Sequence, residues 1–150
     1  MRSGAKRFMR GTSGQSMVEF ALILPMMLVV MFMITEFGRA LFQYNLLTTA
    51  TREAARQAAV SSIDTYQAVA ESVAGDILTA GHIPLNTVTL AVTYDPNFNG
   101  TGVHVLSVSA DKPFEWVFKG PLTMTGGAKV TKPATALNLH AQTFMHAETF

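Results

Sequence analysis

Polarity divides the first forty residues sharply. A leader of Arg, Lys, Ser and Gly runs to Gly14, and from Phe20 to Ile34 every position is uncharged and most are Leu, Ile, Val, Phe or Met. Extended over Gln15 to Thr35, this run has about the twenty residues that cross a hydrocarbon core about 30 Å thick. Its nine Leu, Ile, Val and Phe residues, at about −0.3 to −0.6 kcal/mol each, favour insertion by roughly 3 to 5 kcal/mol. Pro25 removes the bond to the carbonyl of Ala21, which membrane helices tolerate better than soluble ones. No Pro or Gly occurs between Arg39 and Val60, so the helix is expected to continue as a stalk over 36–62, bent near Ser61.

Beyond the stalk the period changes twice. Tyr66, Val69, Ala70, Val73 and Ile77 recur at three- and four-residue steps, with Ser61, Ser62 and Asp64 as candidate caps and Gly81 and Pro84 as stop signals. A second amphipathic helix over about Ile63 to Ala80 follows. From Val88 the period is two: Val88, Leu90, Val92 and Tyr94 alternate with Thr89, Ala91 and Thr93. A second strand is expected over Val103–Ala110, and a third over Leu137–Met145 with Leu137, Leu139, Ala141, Thr143 and Met145 on one face. The fold class is therefore α+β: a long N-terminal helix, transmembrane then stalk, a second helix, and a small, mostly antiparallel sheet.

Charge sharpens the membrane reading. Glu19 stands at the head of the apolar run, where a carboxylate costs up to about 2.5 to 3.5 kcal/mol at mid-bilayer and less near the interface. It is either an interfacial residue that snorkels to water or a functional group. A helix from Glu19 to Glu36 rises about 26 Å, so the two carboxylates bracket the apolar slab and both reach polar surroundings. Arg2, Lys6, Arg7 and Arg10 precede the span while Arg39 and Arg52 follow it, which places the leader in the cytoplasm and the body in the periplasm or outside. An ordinary secretory signal fits badly, because the nearest small-residue site, Gly38-Arg39-Ala40, carries an arginine in its middle.

These residues carry a family resemblance. A leader ending at Gly14, with Glu19-Phe20 as the fifth and sixth residues after it, resembles a class III signal cut by a prepilin peptidase. The runs E-F-A-L-I-L-P at Glu19–Pro25, E-F-G-R-A at Glu36–Ala40 and A-T-R-E-A-A-R at Ala50–Arg56 resemble the TadE-like family of pilus-assembly proteins, as does the stretch Leu137–Glu148. The resemblance implies a pilin-like minor pilin or pseudopilin of the Tad (Flp, tight adherence) type IV pilus system, which serves surface attachment and biofilm formation. By that resemblance Gly14 is the cleavage-site glycine, Gln15 the new N-terminus, and Glu19 the carboxylate that meets a neighbouring subunit's amine. Pairing of that kind lowers the cost of a carboxylate in low dielectric. Implied partners are other pilins and pseudopilins, the Tad assembly machinery, the prepilin peptidase and the inner membrane. The expected organisation is leader 1–14, span 15–35, stalk 36–62 and an α+β body over 63–150.

The rest of the chain adds exclusions. About 110 residues follow the span, enough for one modest core. Loss of the leader would leave seven basic against ten acidic residues, which gives no footing for nucleic-acid binding. With no cysteine there is neither disulfide nor thiol chemistry. Asp95, Asn97, Asn99 and Gly100 match the first half of a calcium loop, but Leu106 occupies the position of the bidentate glutamate, so a plain hairpin turn is favoured and no metal is expected. His82, His104, His140 and His146 are scattered; the last two, on one strand, lie about 20 Å apart at roughly 3.3 Å per residue. No nucleophile elbow, P-loop or dinucleotide fingerprint occurs, and neither an enzyme nor a cofactor is expected.

Two sets of side chains remain as candidate interfaces. Phe114, Trp116 and Phe118 would share one face of an extended segment, where burial in the core is the simpler expectation and partner contact the alternative. Glu36 and Arg39 belong to the resemblance motif; Arg52, Glu53 and Arg56 form a solvated helical set or pair between subunits in a packed filament. Alternatives to the TadE-like reading are a minor pseudopilin of a related secretion system and a membrane-anchored periplasmic binding domain or enzyme with an uncut leader.

Overall fold

The computed structural model describes residues 13–117 and 137–147. Its elements are two helices, α1 (Ser13–Ala58) and α2 (Tyr66–Ala80), and three strands, β1 (Thr89–Asp95), β2 (Val105–Phe114) and β3 (Leu137–His146). The chain divides into two compact units, the first ending at Thr35 and the second beginning at Glu36.

In the first unit, every side chain from Gly14 to Thr35 is exposed. Apolar side chains surround this part of α1, the composition of a helix whose solvent is lipid or other apolar helices. Pro25 lies inside it. Thr35 closes the segment by returning its hydroxyl to the Met31 carbonyl, 3.0 Å away. The helix is long and apolar enough to cross a membrane.

In the second unit, the rest of α1 acquires a buried stripe. Glu36, Ala40, Leu47, Ala50, Thr51, Ala54 and Ala58 recur at three- and four-residue steps or multiples of them and are buried. Most are alanine, which lets the helix approach the sheet closely. Arg39 lies over Phe114, Gln43 bonds Lys112, and Thr51 meets Thr143 hydroxyl to hydroxyl at 3.3 Å, so α1 runs antiparallel to β2 across one face of the sheet. That face is built from Leu106, Val108, Ala110 and Phe114 of β2 and Leu139 and Ala141 of β3, all buried. The strand order is β1-β2-β3 with both pairs antiparallel. Val88, Leu90, Val92, Tyr94 and Met145 pack against this core from its edges.

Several boundaries differ from the expected ones, each for a local reason. α1 stops at Ala58 instead of reaching residue 62, because Ser61 turns both its N–H and its hydroxyl onto the Ala58 carbonyl at 3.1 and 2.8 Å. α2 begins at Tyr66 and not at Ile63: the Ser62 carbonyl accepts the N–H groups of Thr65 and Tyr66, and Ile63 stays exposed in the turn. Of the stripe read in the sequence, Ala70 is buried and Tyr66, Val73 and Ile77 pack against the core; Ala74 and Leu78 join Ala70 as the fully buried line of α2. β2 starts two residues later than expected and runs on through Pro113 to Phe114. β1 pairs only as far as Asp111, so Pro113 faces Asn138 of β3 on one side and needs no donor on the other. Leu137, placed on the core face by alternation, is exposed at the strand's start.

Gly81 ends α2 as expected, capping it with its N–H on the Ile77 carbonyl, and has a second role besides. The left-handed conformation that ends α2 belongs to His82, at φ 59°, with its N–H on the Thr79 carbonyl and that of Ile83 on the Leu78 carbonyl. Gly81 itself has an ordinary φ of −82°. Its lack of a side chain makes room for Leu46 of α1: a Cβ there would lie 1.9 Å from a Leu46 methyl.

Candidate functional site

The chain offers no enclosed chemical site in its described residues. An apolar depression beside Ile23, Met27, Val30 and Ile34 is the flank of a lone helix. A second, of about 120 Å³, lies beside Phe98 and Phe144. No group of three or more His, Asp or Glu side chains suited to a metal occurs among the described residues. In the loop between β1 and β2, Asp95 accepts the Asn97 N–H at 2.9 Å and the Asn97 side-chain oxygen accepts the Gly102 N–H at 2.7 Å. Those oxygens shape the turn, with Asn99, Gly100 and Gly102 at positive φ. His104 is bonded to the Tyr94 hydroxyl, and His140 to Asp111 across the β2–β3 pair at 2.7 Å.

The candidate residues fall into three places. Gly14, Gln15, Glu19 and Phe20 occupy the exposed first turns of α1. One helical turn separates Gln15 from Glu19, and the Gln15 amide donates to the Glu19 carboxylate at 3.0 Å. Among the described residues no protein burial surrounds this carboxylate.

The second place gathers four residues that the sequence could only treat as two separate sets. Glu36 and Arg39, one turn apart on α1, form an ion pair at 2.8 Å. The Arg39 guanidinium stands over the Phe114 ring at 5.4 Å, and Trp116 meets that ring edge-on with centroids 5.2 Å apart. Glu36 is buried, and its polar surroundings are protein: its second oxygen accepts the backbone N–H of Val117 at 2.9 Å. Protein donors thus supply what water would otherwise supply. Phe114 and Trp116 do not share one environment, since the strand ends at Phe114; the first is buried and the second half exposed. Phe118 lies outside the described residues.

Lys112 and Gln43 complete this cluster, and nothing in the sequence singled them out. Lys112 lies on the core face of β2 and donates to the Gln43 side chain at 3.0 Å. Burial lowers its pKa; the charge of Glu115 opposes that shift, and the charge of Arg39 adds a smaller push in the same direction as burial. Its place on the buried register of β2, in step with Ala110 and Phe114, was the available signal.

The third place is the end of α1. Arg56 grips Glu53 with two hydrogen bonds of 3.0 and 2.6 Å, and Gln57 adds a third at 2.8 Å. These bonds, that of Arg56 foremost, pull the Glu53 carboxyl down to about 2. Arg52 is exposed and lies outside this set of bonds.

Residues 14–56 match the family model for TadE-like proteins. No curated protein and no solved structure matches the chain. The match opens at Gly14 and closes at Arg56, so it takes in the whole apolar segment, the Glu36–Arg39 pair and the Glu53–Arg56 pair. It stops short of α2 and the sheet, and Leu137–Glu148 lies beyond it. The TadE-like likeness is therefore a property of α1.

Proposed function

We propose that this protein is a non-enzymatic, membrane-anchored minor pilin or pseudopilin of the TadE kind, supporting assembly of a Tad/Flp type IV pilus and, through it, surface adherence and biofilm formation. The observation that carries this reading is where the TadE-like match begins: at Gly14, with Glu19 one turn inside an apolar helix that has no protein cover of its own. A prepilin peptidase would cut between Gly14 and Gln15, removing the basic leader and freeing the Gln15 amine. In a bundle of such helices, Glu19 of one subunit accepts a hydrogen bond or ion pair from the amine of the next. The exposed apolar flank supplies the packing around that pair. The basic leader stays in the cytoplasm, and the body stands in the periplasm or outside the cell as part of the pilus. Partners are other pilins, the assembly machinery, the peptidase and the inner membrane.

Substitution of Glu19 tests the reading, because the two roles of the carboxylate have opposite signs. Insertion is easier without it, by up to about 2.5 to 3.5 kcal/mol at mid-bilayer and less at the edge. Assembly is harder without it, since a partner charge left unpaired in low dielectric costs several kcal/mol. Glu19→Ala is expected in the inner membrane and correctly cut, yet without pili, with Glu19→Gln intermediate. Normal piliation by Glu19→Ala cells would overturn the assignment.

A further inference from the structure

The two faces of the sheet are unequal. α1 covers the face of Leu106, Val108 and Ala110, and the alternate residues of the strands point the other way. On that other face Thr93, Asp95, Phe98, Val105, Ser107 and Phe144 line a hollow of about 120 Å³. The Phe98 and Phe144 rings lie beside it with centroids 6.2 Å apart and planes tilted by 50°, and Phe144 is 56% exposed. Asp95 is the one charged residue of the six. One of its oxygens accepts the Asn97 N–H, and among the described residues the other accepts no bond. Aromatic faces beside a carboxylate attract a cation, and a guanidinium above all, because it stacks on a ring and donates in its own plane.

Such a cation stands on the opposite side of the same unit. Of the described Arg and Lys side chains, Arg39 is paired with Glu36, Arg56 with Glu53, and Lys112 bonds Gln43. Arg52 is exposed and, among the described residues, has no partner. It also matches the hollow in height. Thr51 meets Thr143 at 3.3 Å, so Arg52 beside the one and Phe144 beside the other lie at one level with the sheet between them. A copy displaced front to back, with little rotation, brings its Arg52 to the hollow of the next.

We propose that Arg52 of one copy enters the hollow of the next, its guanidinium on Asp95 and against Phe144, so that copies of the chain stack front to back. A contact between two different surfaces repeats without closing, which makes it a fibre contact and not a dimer contact. It is small and weak alone, and chains anchored in one membrane meet at high effective concentration. Its use in a pilus rests on the function proposed above; the contact itself does not.

The absence of cysteine makes a cross-linking test specific. Thr49→Cys, exposed one helical turn before Arg52, and Thr93→Cys, exposed beside the hollow, are placed together in the full chain. The chain is reconstituted in phosphatidylethanolamine–phosphatidylglycerol vesicles and treated with a short bismaleimide. A ladder of dimers, trimers and longer products is expected, while the two single-cysteine chains should cross-link when mixed and little when alone. Arg52→Asp and Asp95→Arg should each lower the yield about fivefold or more, and the two reversals together should restore most of it. No ladder, equal dimers from the Thr49→Cys chain alone, or a yield blind to both reversals would overturn the proposal. Processing at Gly14 is read separately: a cut chain without the ladder loses this contact and keeps the pilus reading, and a ladder from a chain that is never cut does the reverse.

Discussion

Two stretches of a single helix meet their surroundings in opposite ways. From Gly14 to Thr35, α1 buries no side chain within the protein and is apolar all round from Phe20 to Ile34; from Glu36 to Ala58 it hides a narrow stripe, mostly alanine, against its own sheet. Large Leu, Ile, Met and Phe side chains fill the first stretch, where bulk gains transfer energy in lipid. Small ones line the second, where closeness to the sheet matters more than volume. The difference shows that length and helical propensity are shared while the stabilising partner is not. A substitution should therefore damage one stretch and spare the other.

The largest separation is expected from Phe114→Ala. This fully buried ring closes the sheet end beneath Arg39, and its loss should cost about 3 to 5 kcal/mol of body stability, read by denaturant unfolding of the full chain in detergent micelles. Membrane insertion should be unchanged. The converse variant, Val29→Arg, puts a charge near mid-span and should weaken insertion by about 2.5 to 3.5 kcal/mol in a translocation assay. Thr49→Arg, at an exposed position of the second stretch, should leave both readouts near wild type. Equal damage from both arginines would dissolve the distinction between the stretches.

Smaller effects sharpen the second stretch alone. Gly81→Ala forces Leu46 aside and should cost about 1 to 3 kcal/mol, much of it recovered when Leu46→Ala is made in the same chain. The least is expected of the Glu53–Arg56 pair, which is open to solvent. Because the Glu53 pKa falls in the folded state from 4.5 to about 2, its contribution is complete above about pH 4.5 and is lost as pH falls through about 2. A carboxyl titration of Glu53 by NMR should show that low midpoint, and Arg56→Ala should return it towards the ordinary range.

Local pattern made most of the elements legible. Alternation in Leu90–Val92–Tyr94 and in Leu139–Ala141–Thr143 identified strands and their inward faces, and the unbroken run after Arg39 identified the helix that packs on them. Boundaries set by side-chain competition were not legible: Ser61 capturing the Ala58 carbonyl resembles any serine near a helix end. Pro113 reads as a breaker until the length of β1 shows that nothing pairs there. Gly81 reads as a helix stop and is one, but the methyl of Leu46 that also excludes a side chain there is 35 positions away. The Glu36–Val117 and Lys112–Gln43 bonds join residues 81 and 69 positions apart, and separations of that size leave no periodic trace.

Processing of the first stretch bears most directly on the account as a whole. If α1 begins as a pilin helix, the chain recovered from membranes of the native host should have lost residues 1–14 and begin at Gln15, as read by mass spectrometry of its N-terminus. The same chain from cells lacking the prepilin peptidase should keep its leader, and a bulky residue in place of Gly14 should have the same effect. A leader that stays intact in peptidase-competent cells, or a chain that begins after Ala40, would contradict the account.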